Sequence, residues 1–281
     1  MRKILGSLLT ITIVSGAAVG ASSAFFSDTE TSEGNIIQAG SVDLLIDSEC
    51  HYFTDANADG QPEQVGCFHT VNNQQVQFGT WPEGNLTNEF FYWFEDVKPG
   101  DFGEHTISLH VVDNDAWGRF VIDGITNDEN GLSEPEEELS DTVDTGELLG
   151  ALEFFAWLDQ GQTPGFQGKG QDPGEGDNVQ NHDEPLIILP GQLNEGGEIH
   201  NIWEALSAVY ASEQCQGDGS TISDCPGLTS DGHMVGSITY YFGLAWELPS
   251  ETDNIVQTDS LTADLSFEVE QYRNNPIPFS Q

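Results

Sequence analysis

Basic residues are nearly missing from this 281-residue chain: Lys and Arg together number 6 against 48 Asp and Glu, a formal net charge of -42. Such a surface repels phosphate backbones and anionic headgroups, so nucleic acid is not an expected partner, whereas divalent cations are attracted. Like charges at this density oppose compaction unless salt screens them, and at molar salt the Debye length falls to about 3 Å. The composition is therefore read as adaptation to brine, with a halophile, archaeal in type, as the expected source. An acidic disordered polymer is the competing reading, but 37% hydrophobic and 10% aromatic residues are enough for a packed core.

Catalytic signatures are missing too. There is no H-E-x-x-H, the helical spacing that sets two imidazoles and a general base around zinc, and no G-x-S-x-G nucleophile turn. His51, His69, His105, His110, His182, His200 and His233 are scattered, and carboxylates are so abundant that no pair of them is informative. The chain is expected not to be an enzyme and to need no organic cofactor. Long apolar runs are absent as well. The one candidate, residues 4–19, is interrupted by Gly6, Ser7, Thr10, Thr12, Ser15 and Gly16, too short to span a bilayer comfortably. With Arg2 and Lys3 before it and Ala21-Ser22-Ser23-Ala24 after it, residues 1–24 read as a signal peptide cut after Ala24. No twin-arginine pair precedes it and no anchor is visible in residues 274–281, so the mature chain is expected to be secreted, to fold outside and to reach the cell surface through something else.

Cysteine is sparse, 4 in all, and an even number in an exported chain points to disulfides. Three connectivities are open. The local pairs Cys50 with Cys67 and Cys215 with Cys225 are favoured because each closes one loop; a zinc site built from all four is the alternative, against which neither pair has the C-x2-C spacing.

What is present is β-pattern. Val42, Leu44 and Ile46 alternate, as do Leu261, Ala263, Leu265, Phe267 and Val269; residues 106–112, 119–125, 186–189 and 235–248 are strand-like, with further strands expected over 68–94 around a turn at Pro82-Glu83-Gly84. Residues 147–159 read as a helical turn leading into a strand, and 202–211 as the best helix. Residues 129–144 read as an acidic loop, and 160–183, rich in Gly, Gln, Asp and Pro, as a long exposed one. No internal repeat is visible. Many short strands, long acidic insertions and one or two short helices predict a single all-β domain over 48–281, a jelly-roll-like β-sandwich.

Asp55, Asn57 and Asp59 at alternate positions, Gly60 for the sharp turn, the backbone carbonyl of Gln61 and the side chain of Glu63 match the first part of a calcium loop. The bidentate Glu is missing, since Gly66 stands at the twelfth position, and an ordinary Asx-Gly hairpin turn is the competing reading. Residues 172–184 could host a second ion. Asn85-Leu86-Thr87 is a glycosylation sequon, which in an exported chain places Asn85 on a surface loop or reads simply as an unmodified turn.

Phe25-Phe26-Ser27-Asp28-Thr29-Glu30, a polar spacer, then Gln38-Ala39-Gly40-Ser41-Val42-Asp43-Leu44 resembles the mature start of TasA/camelysin-like proteins, which carry a SipW-type signal peptide. Val97-Lys98-Pro99-Gly100-Asp101 and the closing block 257–272 are similar to later parts of that family, and the three blocks cover about a third of the chain. The resemblance implies a homopolymer, joined head to tail when the mature N-terminal strand of one subunit completes the sheet of the next: a fibre, pilus or biofilm-matrix filament. Residues 25–47 would then be the donor segment, with Phe25, Phe26, Ile36, Ile37, Ala39, Val42, Leu44 and Ile46 as its apolar side chains. The same strand could instead be an ordinary edge strand of its own subunit. Two other functions stay open. One is a monomeric calcium-dependent adhesin whose aromatic cluster at Phe90, Phe91, Tyr92 and Trp93 contacts glycans or other matrix and surface components. The other, implied by the resemblance alone, is a camelysin-like metalloprotease.

Overall fold

The computed structural model describes residues 27–30, 42–57, 60–142, 146–168, 170–181, 184–212, 215, 225–276 and 278–280. Alternating apolar residues give strands whose one face is buried, and two such sheets pack together here. The first is four-stranded, in the order β1 (Ser27–Glu30), β13 (Ser260–Gln271), β8 (Ala116–Asp128), β11 (Glu198–Asn201). The second is seven-stranded. Its path runs β10 (Leu186–Gly191), β9 (Glu153–Leu158), β12 (Thr239–Glu247), β7 (Phe102–Val112), β2 (Asp43–Thr54), β3 (Glu63–Val65), and β6 (Trp81–Gly84) also pairs with β2. A separate hairpin joins β4 (Phe68–Val71) to β5 (Gln74–Gln77). All the strand pairs are antiparallel. The orders β1-β13-β8-β11 and β7-β12-β9-β10 wind from sheet to sheet as a jelly roll, with β2 added beside β7.

The inward faces carry the core. Leu44 and Ile46 of β2, Ile107 and Leu109 of β7, and Phe242 and Leu244 of β12 meet Phe120, Ile122, Phe267 and Val269 from the opposite sheet, all essentially without solvent exposure. The rings of Phe242 and Phe267 stand 6.4 Å apart across the interface. Strand β12 is buried on its other face as well, so its apolar residues do not alternate with polar ones. Gly243 breaks that run because the Trp157 ring lies across it; a Cβ there would come 2.0 Å from the indole.

Among the described residues the α-helices are α1 (Glu134–Glu138), α2 (Leu148–Ala151) and α3 (Ile202–Tyr210), one more than the one or two expected. The addition is α1, inside the stretch read as loop. Pro135 in its first turn lacks only an N–H that the helix start leaves free, and the Glu136 carboxylate accepts the Ser133 N–H in a capping box. Pro82-Glu83-Gly84, read as a turn, instead belongs to β6. That edge strand pairs with β2 through a register shift, which is where a sheet tolerates proline.

The stretch 160–183 departs most from expectation. It folds over the outer face of β12 rather than standing in solvent, and Gln160, Asp172, Glu175 and Asn178 are buried. An irregular segment brought against a sheet must find acceptors for its N–H groups. Carboxylates supply them: Asp159 accepts from Gly176 at 3.0 Å and Asn178 at 3.1 Å, Glu175 from Gly168 at 3.1 Å and Gln167 at 3.2 Å, and Glu184 from Gly161 and Asn181, each at 2.8 Å.

Candidate functional site

The expected donor segment divides in two. Val42, Leu44 and Ile46 lie at the start of the protein's own β2 side of the core, where residues 43–53 pair in register with β7. Truncating them would open cavities in the sandwich, so they serve this fold directly. Phe25, Phe26, Ile36, Ile37 and Ala39 lie outside the described residues. Between the two groups, β1 takes the edge of the four-stranded sheet, with Ser27 opposite Glu270 and Glu30 opposite Phe267. It covers only the last part of β13. Among the described residues, positions 260–266 of β13 have a partner on the β8 side and none on the other.

The calcium-loop residues close a hairpin. Asp55, Asn57, Gln61 and Glu63 sit on the β2–β3 connection, where Asp55 accepts the Gly60 N–H at 2.8 Å. Glu63 accepts the Ala56 N–H at 3.1 Å and the Asn57 amide, and the Gln61 amide donates to the Gly60 carbonyl at 2.7 Å. These contacts run within the hairpin, the Asp55 bond to Gly60 spanning five residues. Asp59 lies outside the described residues. In the expected second ion loop, Asp172, Glu175 and Glu184 likewise hold backbone N–H groups.

Carboxylates do converge elsewhere. Ligand oxygens of Glu129, Asp141 and Glu147 lie within 4.8 Å of one another, and so do those of Glu129, Glu136 and Asp259. Sequence reading treated the first part of this group as a polar loop. The pairing of β8 with β13 was the available signal: Ser260 stands opposite Asp128, so the next residues outward, Asp259 and Glu129, meet.

Both favoured disulfides form, Cys50 to Cys67 and Cys215 to Cys225, with Cα atoms 6.2 and 5.6 Å apart. Asn85 is exposed beside buried Leu86. Of the aromatic cluster, Phe91 enters the core, while Phe90 and Trp93 remain exposed near the β4–β5 hairpin, with His69 stacked on Trp93 at 4.2 Å. The described histidines are held apart by different partners: His110 by Asp47 at 2.6 Å, His233 by Asp231 at 2.6 Å, His200 by Glu198 at 2.8 Å, and His51 by Asn178. His105 is fully buried, which pushes its imidazole down to about 3. His182 lies outside the described residues. None of the described helices is long and apolar enough to cross a membrane.

No protein-family model matches the chain, and no curated protein matches it in sequence.

Proposed function

We propose that this chain is an exported structural subunit that polymerises head to tail by β-strand addition into a surface fibre, pilus or biofilm-matrix filament of a halophile. The observation that carries the reading is the edge of β13, which among the described residues β1 pairs only at 267–270. A four-residue strand guards the end of a twelve-residue one, and an uncovered edge is a template for another chain. In the register β1 already uses, the partner subunit's Thr31 falls opposite Ser266 and the partner subunit's Ile36 opposite Leu261. Exchanging β1 between subunits would reproduce the pairs it makes, each ladder bond worth about 0.5–1.5 kcal/mol net. Apolar anchors such as Phe25, Phe26, Ile36 and Ile37 would contribute about 1.5–3 kcal/mol each if buried. The donor segment of this reading is residues 25–41, because Val42, Leu44 and Ile46 are committed to the core.

Electron microscopy of the mature chain in molar salt, beside a version lacking residues 25–41, tests this. Filaments from the first and folded single particles from the second are expected. Filaments from both would remove the N-terminal segment from the mechanism. If neither assembles, a second reading moves ahead, a monomeric surface adhesin, which the exposed Phe90 and Trp93 favour.

A further inference from the structure

Glu129 follows β8, Glu136 belongs to α1, Asp141 follows that helix, Glu147 precedes α2, and Asp259 precedes β13. Their carboxylates share a pattern. Glu129 Oε1 accepts the Gly131 N–H at 3.0 Å and the Thr258 hydroxyl at 3.2 Å. Asp141 Oδ1 accepts the Thr142 N–H at 2.6 Å, and Asp259 Oδ2 accepts the N–H groups of Glu147 at 2.6 Å and Leu148 at 2.9 Å. Fully buried Glu136 is anchored by the Ser133 N–H. The second oxygens are the unusual ones. Glu129 Oε2, Asp141 Oδ2, Glu147 Oε2 and Asp259 Oδ1 are all buried and none has a hydrogen-bond partner.

A buried carboxylate oxygen without a partner loses its hydration and receives nothing in return. Several such oxygens facing one another add mutual repulsion. Among the described residues no Lys or Arg forms an ion pair with any of them; Lys98 pairs with Asp96 and Arg119 with Glu268. One oxygen fixed by the backbone and the other turned inward is how outer contacts orient metal ligands. We propose that Glu129, Glu136, Asp141, Glu147 and Asp259 bind calcium, and that the ion clamps residues 129–147 onto the entry to β13.

The donor set selects the metal. It is oxygen only, which suits a hard cation and not zinc. Calcium takes six to eight oxygens at about 2.3–2.6 Å, so two ligands of one ion stand up to about 5 Å apart, and the distances within each set of three here are within 4.8 Å. Magnesium holds its ligands at about 2.0–2.1 Å and keeps several waters, which a group crowded with protein carboxylates does not suit. Glu129 belongs to both sets of three and joins them into one centre.

Calorimetric titration of the chelator-stripped, full mature chain with calcium chloride in molar sodium chloride tests the site. Saturable binding is expected, with a melting temperature that rises as calcium is added. Glu129→Gln and Asp259→Asn should each weaken binding about tenfold or more. Both variants lose a repelling charge, so they should fold without calcium at least as well as the parent. Asp55→Asn should bind as the parent does. Absence of saturable binding overturns the proposal, as does parental affinity in both Glu129→Gln and Asp259→Asn. Loss of binding in Asp55→Asn alone also overturns it and returns the ion to the β2–β3 hairpin.

Discussion

Two acidic excursions leave the same sandwich, residues 129–147 after β8 and residues 159–184 after β9, and they use their buried carboxylates in opposite ways. In the second, Asp159, Glu175 and Glu184 each spend both oxygens on backbone N–H groups, and the acids act as the framework of an irregular loop. In the first, Glu129, Asp141 and Asp259 each give one oxygen to the protein and keep the other buried and unpartnered. Composition cannot separate the two. Oxygen-by-oxygen accounting does, assigning structural work to one and cation binding to the other.

The broadest way to test the contrast is to remove screening, which acts on both excursions and on the whole net charge of -42. Dilution from molar to about 0.1 M sodium chloride lengthens the Debye length to about 10 Å and should lower the melting temperature by about 10 °C or more. Calcium added at low salt should then recover part of that loss through residues 129–147. An unchanged melting temperature on dilution would sink the brine reading of the composition.

The next largest effect separates the two regions. Asp159→Ala leaves the Asn178 N–H without its acceptor in a buried setting, while the Gly176 N–H keeps its bond to the Asp159 carbonyl at 3.2 Å. At about 1–3 kcal/mol for an unsatisfied group, a stability loss of about that size is expected, read as a lower denaturant midpoint. Glu129→Gln, with the ion removed, should move stability the other way. If Asp159→Ala unfolds at the parental denaturant concentration, the framework role assigned to residues 159–184 is wrong.

Periodicity made the frame of this molecule legible. The strands that became β7, β8, β12 and β13, the helix α3, the turn of helix before β9 and both disulfides follow from spacing within the chain. What spacing could not give is which distant segment each acid faces. Asp55, Asn57 and Glu63 fit a local calcium template that spacing alone displays, and in the hairpin Asp55 and Glu63 accept N–H groups of the same loop. Glu129 and Asp259 match no template and meet only through the antiparallel register of β8 with β13. Likewise, a Gly- and Asp-rich run looks solvated until the outer face of β12, with Tyr241 buried on it, requires a cover.

The smallest expected effect concerns protons and sharpens the account of residues 159–184. Burial raises the Asp159 carboxyl to about 6, with Asp177 adding to the shift, and raises Glu184 to about 7. Glu104 of β7 is raised to about 7, first by burial and then by Asp159 and Asp177. An acid whose folded pKa lies above its unfolded value near 4 holds its proton longer in the folded protein, so stability falls as pH rises through the folded pKa. His105 acts in the opposite sense: burial keeps it neutral, and protonation of the unfolded chain below about 6.5 costs stability. Three raised carboxyls outweigh one depressed imidazole, so calcium-free protein should lose stability from pH 5 to pH 7.5, by about 1 kcal/mol after allowance for solvent screening. Asp159→Asn removes one titrating group and should flatten that slope, whereas Asp55→Asn should leave it unchanged. A chain that instead gains stability steadily from pH 5 to pH 7.5 would mean that these carboxylates are better paired when charged, and that residues 159–184, not 129–147, hold the cation.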